Sequence, residues 1–484
     1  MCKTWFRRLR CSRIIFVVAA AMLAVIAFWA IGSAPAGLSQ YSKPNIVFIL
    51  TDDLDAKSIK YLPRLRSLMI DRGTTFEHFF VTNSLCCPSR ASILTGQYAH
   101  NHGVLTNQPS NGGYRKFHYT GKESSTIATW LKAEGYRTML AGKYLNGYRG
   151  AEPLGVPPGW DEWYAAREDG AYSNIFYYIN ENGRLVGYFS WPEDYLTDVI
   201  ARKATDFIQR TATDTRPFFL YLATYAPHLP ATPAPRHENE FPNTTAPRSP
   251  SFNEEDIGDK PEWVRRRTLL TPGEIREIDD LYRRRLQSLL AIDDMIERII
   301  RLLEVQNQLS NTFVFFTSDN GFHMGEHRLT PGKETAYEED IRVPLIVRGP
   351  GVPAGRTVEQ LTLNIDLAPT FAELGGARSP ETVDGLSLVP LLSTGVPSVN
   401  AWRKEFLVEH WMSGQSEVPQ HSGLRTQYYL YVEYVTGERE LYDLRTDPFE
   451  LKSMHDSAPR VLIRELAERL DALRQCKAAT CRTR

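Results

Sequence analysis

Two adjacent cysteines open the stretch of the chain that is best suited to chemistry. Cys86 and Cys87 are followed directly by the sequence PSRASILTG, and the whole chain of 484 residues has only six cysteines. Proline suits the first turn of a helix and glycine its end, so this stretch predicts a short helix that begins near Cys86. The free N–H groups at a helix N-terminus favour negative charge, which makes Cys86 a candidate nucleophile.

Carboxylate and amide side chains follow two of the segments that are predicted to be buried strands. Asp52 and Asp53 follow the apolar run 46–50, and Asp319 and Asn320 follow the run 312–317. An Asp-Asp pair by itself is more typical of a helix N-cap. Three carboxylates and one amide oxygen, however, form an all-oxygen set that suits Ca²⁺ or Mg²⁺ and suits zinc poorly. The sequence therefore predicts a site for a hard divalent cation.

Cationic side chains are predicted at the same end of two further strands. Lys143 follows the run 137–141, and His228 follows the run 218–223. With Arg90 and a bound cation, these groups would hold a tetrahedral oxyanion such as sulfate or phosphate. Lys333 follows the Asp319–Asn320 pair and could reach the same cleft, although an isolated lysine is more often a surface residue.

The four strand segments are continuous apolar runs, as is typical of strands that are covered on both faces. Helical patterns alternate with them, and the longest begins at a capping box at Thr271 and runs to about Glu304. This alternation predicts an α/β protein with a large, mostly parallel central sheet flanked by helices. Ligand sites in such sheets lie outside the carboxyl ends of the strands. Two long segments, 146–170 and 228–263, are predicted to be loops that wall a cleft there.

The chain is predicted to have three parts. Residues 1–40 form an N-terminal signal or membrane anchor with its linker, residues 41–399 form the catalytic domain, and residues 400–484 form a smaller C-terminal α+β domain with a helix at 460–474. The last part also holds Cys476 and Cys481, which are close enough in sequence to pair as a disulfide in an exported protein.

The N-terminus has the pattern of an export signal or a signal anchor. Basic residues precede an uninterrupted apolar run from Ile14 to Ile31. The run is long for a cleaved signal and just long enough to span a bilayer, so an uncleaved anchor is favoured. In either case the positive-inside rule places everything after residue 40 outside the cytoplasm, secreted or membrane-anchored.

The overall charge argues against a nucleic-acid partner. The chain has 56 basic and 57 acidic residues and a formal net charge of −1, without the basic excess that nucleic-acid binding requires. Two short basic clusters, 265–267 and 283–285, are predicted to lie on solvated surface.

The stretch CCPSRASILTG resembles the signature of the sulfatase family, Cys-x-Pro-Ser-Arg-x-x-x-x-Thr-Gly. In that family a formylglycine-generating enzyme oxidises the first cysteine to Cα-formylglycine. The resemblance implies that Cys86 becomes an aldehyde whose gem-diol hydrate is an oxygen nucleophile and metal ligand. A thiolate is a poor companion for a hard cation, and an aldehyde hydrate is a good one. Cys87 occupies the variable position of the signature and is expected to be structural.

Further matches run along nearly the whole chain beyond the N-terminal segment and imply an alkaline-phosphatase-like fold. The stretches NIVFILTDDLD and SDNG match the family's metal-binding segments, and AGKY, APH and GKETAYE match its sulfate-binding segments. The resemblance implies a Ca²⁺ site, with Mg²⁺ as the alternative, made by Asp52, Asp53, Cys86, Asp319 and Asn320. It also implies that Arg90 holds the gem-diol and that Lys143, His228 and Lys333 contact sulfate.

Within the family, stretches such as AGKYLNGY and VPLIVRGPG look most like the N-acetylglucosamine-6-sulfatases. This likeness implies a sulfated small molecule or glycan as substrate, either a sugar 6-O-sulfate or an aryl sulfate. Leu145 stands where many sulfatases have the histidine of Lys-x-His, so the base that deprotonates the gem-diol is left open, with Asn146, His102 and His323 as candidates. Two other functions also stay open: a phosphate or phosphonate monoester hydrolase of the same superfamily, and an inactive sulfoglycan-binding protein.

Overall fold

The structure is a computed structural model that describes residues 43–149, 155–414 and 416–482. The predicted signal or anchor, at residues 1–40, lies outside the described residues. Within those ranges, none of the helices has both the length and the apolar character that crossing a bilayer requires.

The apolar runs seen in the sequence form strands in the structure. In the described residues and in chain order they are β1 (Asn45–Thr51), β2 (Thr74–Phe76), β3 (Phe79–Phe80), β4 (Arg137–Gly142), β5 (Glu162–Ala166), β6 (Tyr177–Glu181), β7 (Arg184–Tyr188), β8 (Phe218–Ala223), β9 (Thr312–Ser318), β10 (Leu345–Arg348), β11 (Arg356–Val358), β12 (Thr362–Leu363), β13 (Glu405–His410), β14 (His421–Thr426), β15 (Tyr429–Tyr434) and β16 (Arg439–Asp443). The four strands predicted from the sequence, β1, β4, β8 and β9, are confirmed to within a residue at each end.

A ten-stranded sheet forms the centre of the protein, in the order β11-β2-β10-β9-β1-β8-β4-β5-β6-β7. Its five central strands, β9 to β5, run parallel, and the strands next to them on either side, β10 and β6, pair with them antiparallel. β1 lies between its two neighbours in register, so Ile46 pairs with Phe219 on one side and Phe313 on the other. All seven residues of β1 are buried, which explains why its sequence does not alternate between polar and apolar.

The α-helices of the described residues range from single turns to 34 residues. They are α1 (Pro63–Leu65), α2 (Cys86–Thr95), α3 (Ala99–His102), α4 (Gly113–Tyr119), α5 (Ile127–Ala133), α6 (Glu168–Ala171), α7 (Leu196–Thr211), α8 (Glu262–Arg265), α9 (Pro272–Val305), α10 (Glu338–Ile341), α11 (Leu367–Gly375), α12 (Val389–Leu392) and α13 (Arg460–Arg474). The capping box predicted for the longest helix, α9, is present: Thr271 and Glu274 satisfy each other's backbone N–H groups.

The two faces of the central sheet carry separate hydrophobic cores. Helices α7 and α9 pack on the face to which Val47 and Ile49 point, while α2, α5 and α11 pack on the face to which Ile46, Phe48 and Leu50 point. The sheet is thus covered on both sides, as the sequence predicts, and the fold class is confirmed.

A second, antiparallel sheet lies in the C-terminal part of the chain, in the order β13-β14-β15-β16. Hydrogen bonds join it to the segment around α10, from Arg425 to Glu338 at 2.7 Å and from Tyr337 to Glu440 at 2.7 Å. Cys476 and Cys481 form the predicted disulfide just after α13. The boundary near residue 400 stays a prediction, and residues from Lys43 onward form one compact unit.

Two predictions made from the sequence are wrong in part. The segment 146–170 is not only a loop, because it contains β5, whose register is fixed by β4. The cluster 283–285 does not lie entirely on solvated surface, because Arg285 is buried, with 1% of its surface exposed. A basic run on an amphipathic helix does not reveal which of its members turns inward.

Candidate active site

The carboxyl ends of the central strands bring the predicted site residues together. Asp52 and Asp53 follow β1, Asp319 and Asn320 follow β9, and Lys143 and His228 follow β4 and β8. Asp53 has a left-handed backbone (φ 66°), and its N–H donates to Oδ1 of Asp319 at 3.1 Å. The turn after β1 is therefore tied directly to the turn after β9.

Cys86 is the first residue of α2 and is fully buried among charged groups. Its Sγ lies 3.3 Å from Oδ1 of Asp52 and 3.8 Å from Oδ1 of Asp53, and Nζ of Lys333 donates to it at 2.7 Å. Burial and the charge of Asp52 raise the pKa of the Cys86 thiol well above its usual value. The unmodified side chain is therefore a protonated thiol rather than a nucleophilic thiolate.

Cationic and anionic side chains alternate around Cys86. Lys143 pairs with Asp52 at 2.6 Å, and Lys333 pairs with Asp53. Burial acts to raise the pKa of Asp52, but the charges of Lys143 and its cationic neighbours outweigh it and lower that pKa well below its usual range. Both lysines keep raised pKa values despite their burial, because Asp52 and Asp53 favour the charged ammonium.

Arg90 lies on the inner side of the same cluster and is fully buried. Its Nε donates to Oδ2 of Asp319 at 2.7 Å, and one Nη donates to the backbone carbonyl of Lys143 at 3.1 Å. Burial raises the pKa of Asp319 to about 6 even with Arg90 beside it. Arg90 thus links α2 to the ends of both β4 and β9.

The chemistry of the donor set fits a hard divalent cation. Oδ1 of Asn320 is buried and has no hydrogen-bond partner, while its Nδ2 donates to Oδ1 of Asp53 at 2.7 Å. Ligand atoms of Asp52, Asp53, Cys86 and His228 lie within 4.8 Å of one another. The carboxylate oxygens of Asp52 and Asp53 suit Ca²⁺ or Mg²⁺, and an amide oxygen such as that of Asn320 is a donor of the same hard kind.

His228 faces the site from the turn after β8. Its Nε2 lies 3.5 Å from Oδ2 of Asp53, and its Nδ1 donates to the carbonyl of Leu229 at 2.7 Å. Burial lowers the pKa of His228 although the two aspartates act to raise it. A neutral ring held in this way presents a lone pair at Nε2.

Two residues that the sequence analysis missed complete the site. The ring of Tyr172 lies 4.4 Å from the ring of His228 and 5.1 Å from Nζ of Lys143. Arg285, on α9, donates to the backbone carbonyls of Asp53 and of Pro227, the latter at 3.1 Å. Neither residue belongs to a motif, and only the fold brings them to the strand ends.

The three candidates for the missing base all have other partners. His102 bonds Ser92 at 3.1 Å and accepts from the N–H of Val104. Nδ2 of Asn146 donates to Tyr172 at 3.0 Å, while its Oδ1 is buried without a hydrogen-bond partner. Both nitrogens of His323 are engaged, by Asp340 at 2.9 Å and by the carbonyl of Thr330 at 2.9 Å. The base therefore stays open.

A cleft of about 410 Å³ opens over the cluster. Asp53, His228 and Lys333 form its floor. Its walls come from distant parts of the chain, among them Asn107, Gln108, Trp263, Arg267 and Ser416. A cleft of this size holds a small molecule or the end of a chain, with its anionic group against Lys333.

Comparison with known proteins places the chain in a family over most of its length. The family model described as Sulfatase matches residues 44–377, and the model described as N-sulphoglucosamine sulphohydrolase, C-terminal, matches residues 325–476. The N-acetylglucosamine-6-sulfatase of Capra hircus is 36% identical over 91% of this chain and 85% of its own length. An extracellular sulfatase homologue of Drosophila melanogaster is 38% identical over 78% of this chain and 33% of its own.

Solved structures agree with this placement. One structure, described as a complex with its substrate D-glucosamine-2-N,6-O-disulfate, superposes with a TM-score of 0.77 at 26% sequence identity. The match covers 89% of this chain and 97% of that one.

Proposed function

Because the chain belongs to the sulfatase family, whose members include sulfuric ester hydrolases, we propose that it removes 6-O-sulfate from glucosamine-type sugars. The chain hydrolyses sulfate esters; our proposal concerns which sugar it acts on, which cation it binds and which group is its nucleophile. The observation that carries it is the position of Cys86, at the start of α2 and in contact with Asp52, Asp53 and Lys333. The curated relative and the substrate-bound structure described above support glucosamine as the sugar.

The proposed cation is Ca²⁺, held by Asp52, Asp53, Asp319 and Asn320 together with the modified side chain at position 86. The free Oδ1 of Asn320 supports this assignment, because a buried amide oxygen without a partner is a ready ligand. When bound, the cation supplies positive charge that neutralises the oxygens of the sulfate group. Mg²⁺ is the alternative, and it demands a smaller, more regular set of ligands.

The proposed nucleophile is the hydrate of a formylglycine made from Cys86 by a formylglycine-generating enzyme. Sγ of Cys86 marks the place that one hydrate oxygen would take. An oxygen there would keep the contact with Lys333, whose ammonium favours the ionised form of a hydroxyl. Arg90 holds the helix that carries it against Asp319 and Lys143.

Lys143, Lys333 and His228 are proposed to bind the sulfate group. The two ammonium groups are already charged and fixed by Asp52 and Asp53, so they need no rearrangement when charge shifts in the transition state. Because its Nδ1 proton is used by Leu229 and the free protein holds the ring neutral, His228 must gain a proton at Nε2 before it can donate to the leaving oxygen. We propose that the bound anionic sulfate ester, together with Asp53 at 3.5 Å, raises the pKa of His228 enough for this.

The test is turnover by protein coexpressed with the formylglycine-generating enzyme. We expect release of sulfate from N-acetylglucosamine-6-O-sulfate and glucosamine-6-O-sulfate, with slower turnover of 4-nitrophenyl sulfate. Peptide mass spectrometry should find the aldehyde at position 86. The matched control is Cys87→Ala, which keeps the neighbouring residue and should stay active, whereas Cys86→Ala should not. Full activity of Cys86→Ala would refute the proposed nucleophile.

The same assay separates the rival functions. Faster turnover of 4-nitrophenyl phosphate or of a phosphonate monoester than of the sulfates would identify a phosphorus-ester hydrolase. Binding of sulfated sugars without turnover by fully matured protein would identify a binding protein.

Export of the protein is also part of the proposal. The disulfide between Cys476 and Cys481 supports folding in an oxidising compartment, and one relative is described as extracellular. Whether residues 1–40 are cleaved or serve as a membrane anchor can be read from the N-terminal sequence of the exported protein.

A further inference from the structure

A second group of side chains that could bind a metal lies apart from Cys86, near both ends of the segment that carries Lys333. A ring nitrogen of His327 and one carboxylate oxygen each of Glu339 and Glu450 lie within 4.8 Å of one another. His327 follows the turn after β9, Glu339 is on α10, and Glu450 follows β16. Three separate parts of the chain thus bring ligand atoms to one point.

Two atoms of this group are buried and have no hydrogen-bond partner. They are Nε2 of His327 and Oε1 of Glu450, in residues that are 0% and 1% exposed. A buried polar atom without a partner costs about 1–3 kcal/mol in desolvation, so such atoms are uncommon in a folded protein. A cation that both atoms bind would offset that cost.

The other polar atoms of the two side chains are already used in ways that orient the free ones. Nδ1 of His327 lies 2.6 Å from Oε2 of Glu254, and Oε2 of Glu450 accepts from the N–H of Glu338 at 3.1 Å. A carboxylate on one ring nitrogen fixes the tautomer that presents a lone pair at the other, as is usual for metal-binding histidines. Burial lowers the pKa of His327 to about 3, so the ring is neutral, as a ligand must be.

The charges around the group also favour a cation. Glu338, Glu339 and Glu450 lie close together; Arg425 pairs with Glu338 at 2.7 Å and Lys57 with Glu339 at 3.3 Å. The carboxylate of Glu450 has no such ion pair among the described residues, and the nearby ammonium of Lys260 donates to the backbone carbonyl of Glu450 at 2.6 Å and pairs with Glu254 at 3.7 Å. Burial and the charges of Glu338 and Glu339 raise the pKa of Glu450 well above its usual value. A cavity of about 440 Å³ next to the group, lined in part by Glu339 and Lys57, offers a path from solvent.

We propose that His327, Glu339 and Glu450 bind a borderline divalent cation of the zinc class, separate from the hard cation at Asp52 and Asp53. One imidazole nitrogen with two carboxylates suits Zn²⁺ and leaves Ca²⁺ short of oxygen ligands. The ion would join α10 to the segment after β16. The chain between Asn320 and α10 would then be held at two points, by the contacts of Lys333 with Asp53 and Cys86 and by the bound ion.

The experiment uses Co²⁺ as a spectroscopic stand-in for Zn²⁺ in the full-length protein that is saturated with Ca²⁺. We expect one further equivalent of Co²⁺ with visible absorption, displaced by Zn²⁺, and a rise in Tm on adding Zn²⁺. Glu254→Gln, which removes only the partner of His327, should weaken binding about 10–100-fold. His327→Gln and Glu339→Gln should abolish the absorption, and Glu339 is half-buried, so its variant tests the site even where His327→Gln fails to fold.

His228→Gln is the matched control, because it changes the histidine of the other ligand group and leaves no buried charge unpaired, so it should leave the Co²⁺ absorption unchanged. The proposal is overturned if the Ca²⁺-saturated protein takes up no further Co²⁺ or Zn²⁺. It is also overturned if His327→Gln and Glu339→Gln bind as tightly as the unaltered protein, or if His228→Gln alone removes the signal.

Discussion

Nζ of Lys333 lies 2.7 Å from Sγ of Cys86 and pairs at the same time with Asp53. Asp53 follows a strand of the central sheet, whereas Lys333 lies in the segment between Asn320 and α10. The proposed nucleophile therefore sits between a sheet that supplies carboxylates and a loop that supplies an ammonium. Removal of the Lys333 side chain should therefore affect the rate of the chemical step more than the binding of substrate.

Lys333→Ala should lower kcat by about 10²–10³, the usual effect of removing one fixed donor from a developing negative charge. KM should change less, because Lys143 still holds the sulfate group. Steady-state kinetics on N-acetylglucosamine-6-O-sulfate measures both. The matched control is Lys132→Ala, which removes a lysine that pairs with Asp161 at the surface and should leave kcat unchanged. Equal kcat for the two variants would contradict the role of Lys333.

Removing one partner of the buried Arg90–Asp319 pair should strongly destabilise the protein. Both side chains are 0% exposed and their charged atoms are 2.7 Å apart, so Arg90→Met leaves a buried carboxylate without its counterion. The free energy of unfolding should fall by about 3–5 kcal/mol, measured by urea denaturation without added metal.

Arg403→Met is the comparison for Arg90, because Arg403 forms an equally buried pair with Asp366 at 2.6 Å outside the site. It should cost a similar free energy of unfolding, but the folded fraction should keep its kcat. If Arg90→Met also kept its kcat, Arg90 would have only a structural role.

The part of the site that could be predicted from the sequence is the part that the central strands carry. Strands β1, β4, β8 and β9 are buried on both faces, so their residues form apolar runs that end sharply in Asp52, Lys143, His228 and Asp319. A parallel sheet places all such ends at one edge, which is why local patterns were enough to assemble a site.

Tyr172 and Arg285 could not be predicted, for a different physical reason. Each acts through a contact between elements far apart in sequence, Tyr172 with the ring of His228 and Arg285 with the backbone of Asp53. The short strands β6 and β7, at one end of the sheet, were missed as well, because they lack a continuous apolar run and β6 carries the exposed Tyr178. Tertiary pairing, rather than local preference, makes them strands.

Tyr172 should position His228 through its ring more than through its hydroxyl. The ring packs on His228 at 4.4 Å, whereas the hydroxyl accepts from Asn146 at 3.0 Å and donates to Glu168 at 3.4 Å, away from His228. Tyr172→Phe should therefore keep most of the activity, while Tyr172→Leu should lower kcat and shift the basic limb of the pH–rate profile, which the proton donor His228 would set. The effect should be larger for sugar sulfates than for 4-nitrophenyl sulfate, whose leaving group needs no proton. A shift of the same size with both substrates would contradict this role.

Stability should fall with rising pH through the titration of His323. The charge of Asp340, at 2.9 Å, outweighs burial and raises the pKa of His323 above its usual 6.5. Between 6.5 and that raised value the folded state binds a proton that the unfolded state has lost, so the stabilisation is complete below pH 6.5 and disappears as the pH rises through the folded pKa. Urea denaturation across this range should show the loss, and His323→Gln should remove it. Thr335→Val deletes only a hydroxyl that bonds Asp340 and should keep the pH dependence.

Removal of the hard cation should lower Tm, and the loss should depend on Asn320. The free Oδ1 of Asn320 and the carboxylates of Asp52 and Asp53 are held ready in the folded state and are scattered in the unfolded chain. Free Ca²⁺ at about 100 times its Kd should therefore stabilise the protein by about 2.7 kcal/mol. Differential scanning fluorimetry with and without a Ca²⁺ chelator measures the shift. Asn320→Leu removes the proposed ligand and should show a smaller shift. Asn311, at the far end of β9, gives the matched variant Asn311→Leu, which should respond to Ca²⁺ as the unaltered protein does. An undiminished Ca²⁺ response in Asn320→Leu would remove Asn320 from the ligand set.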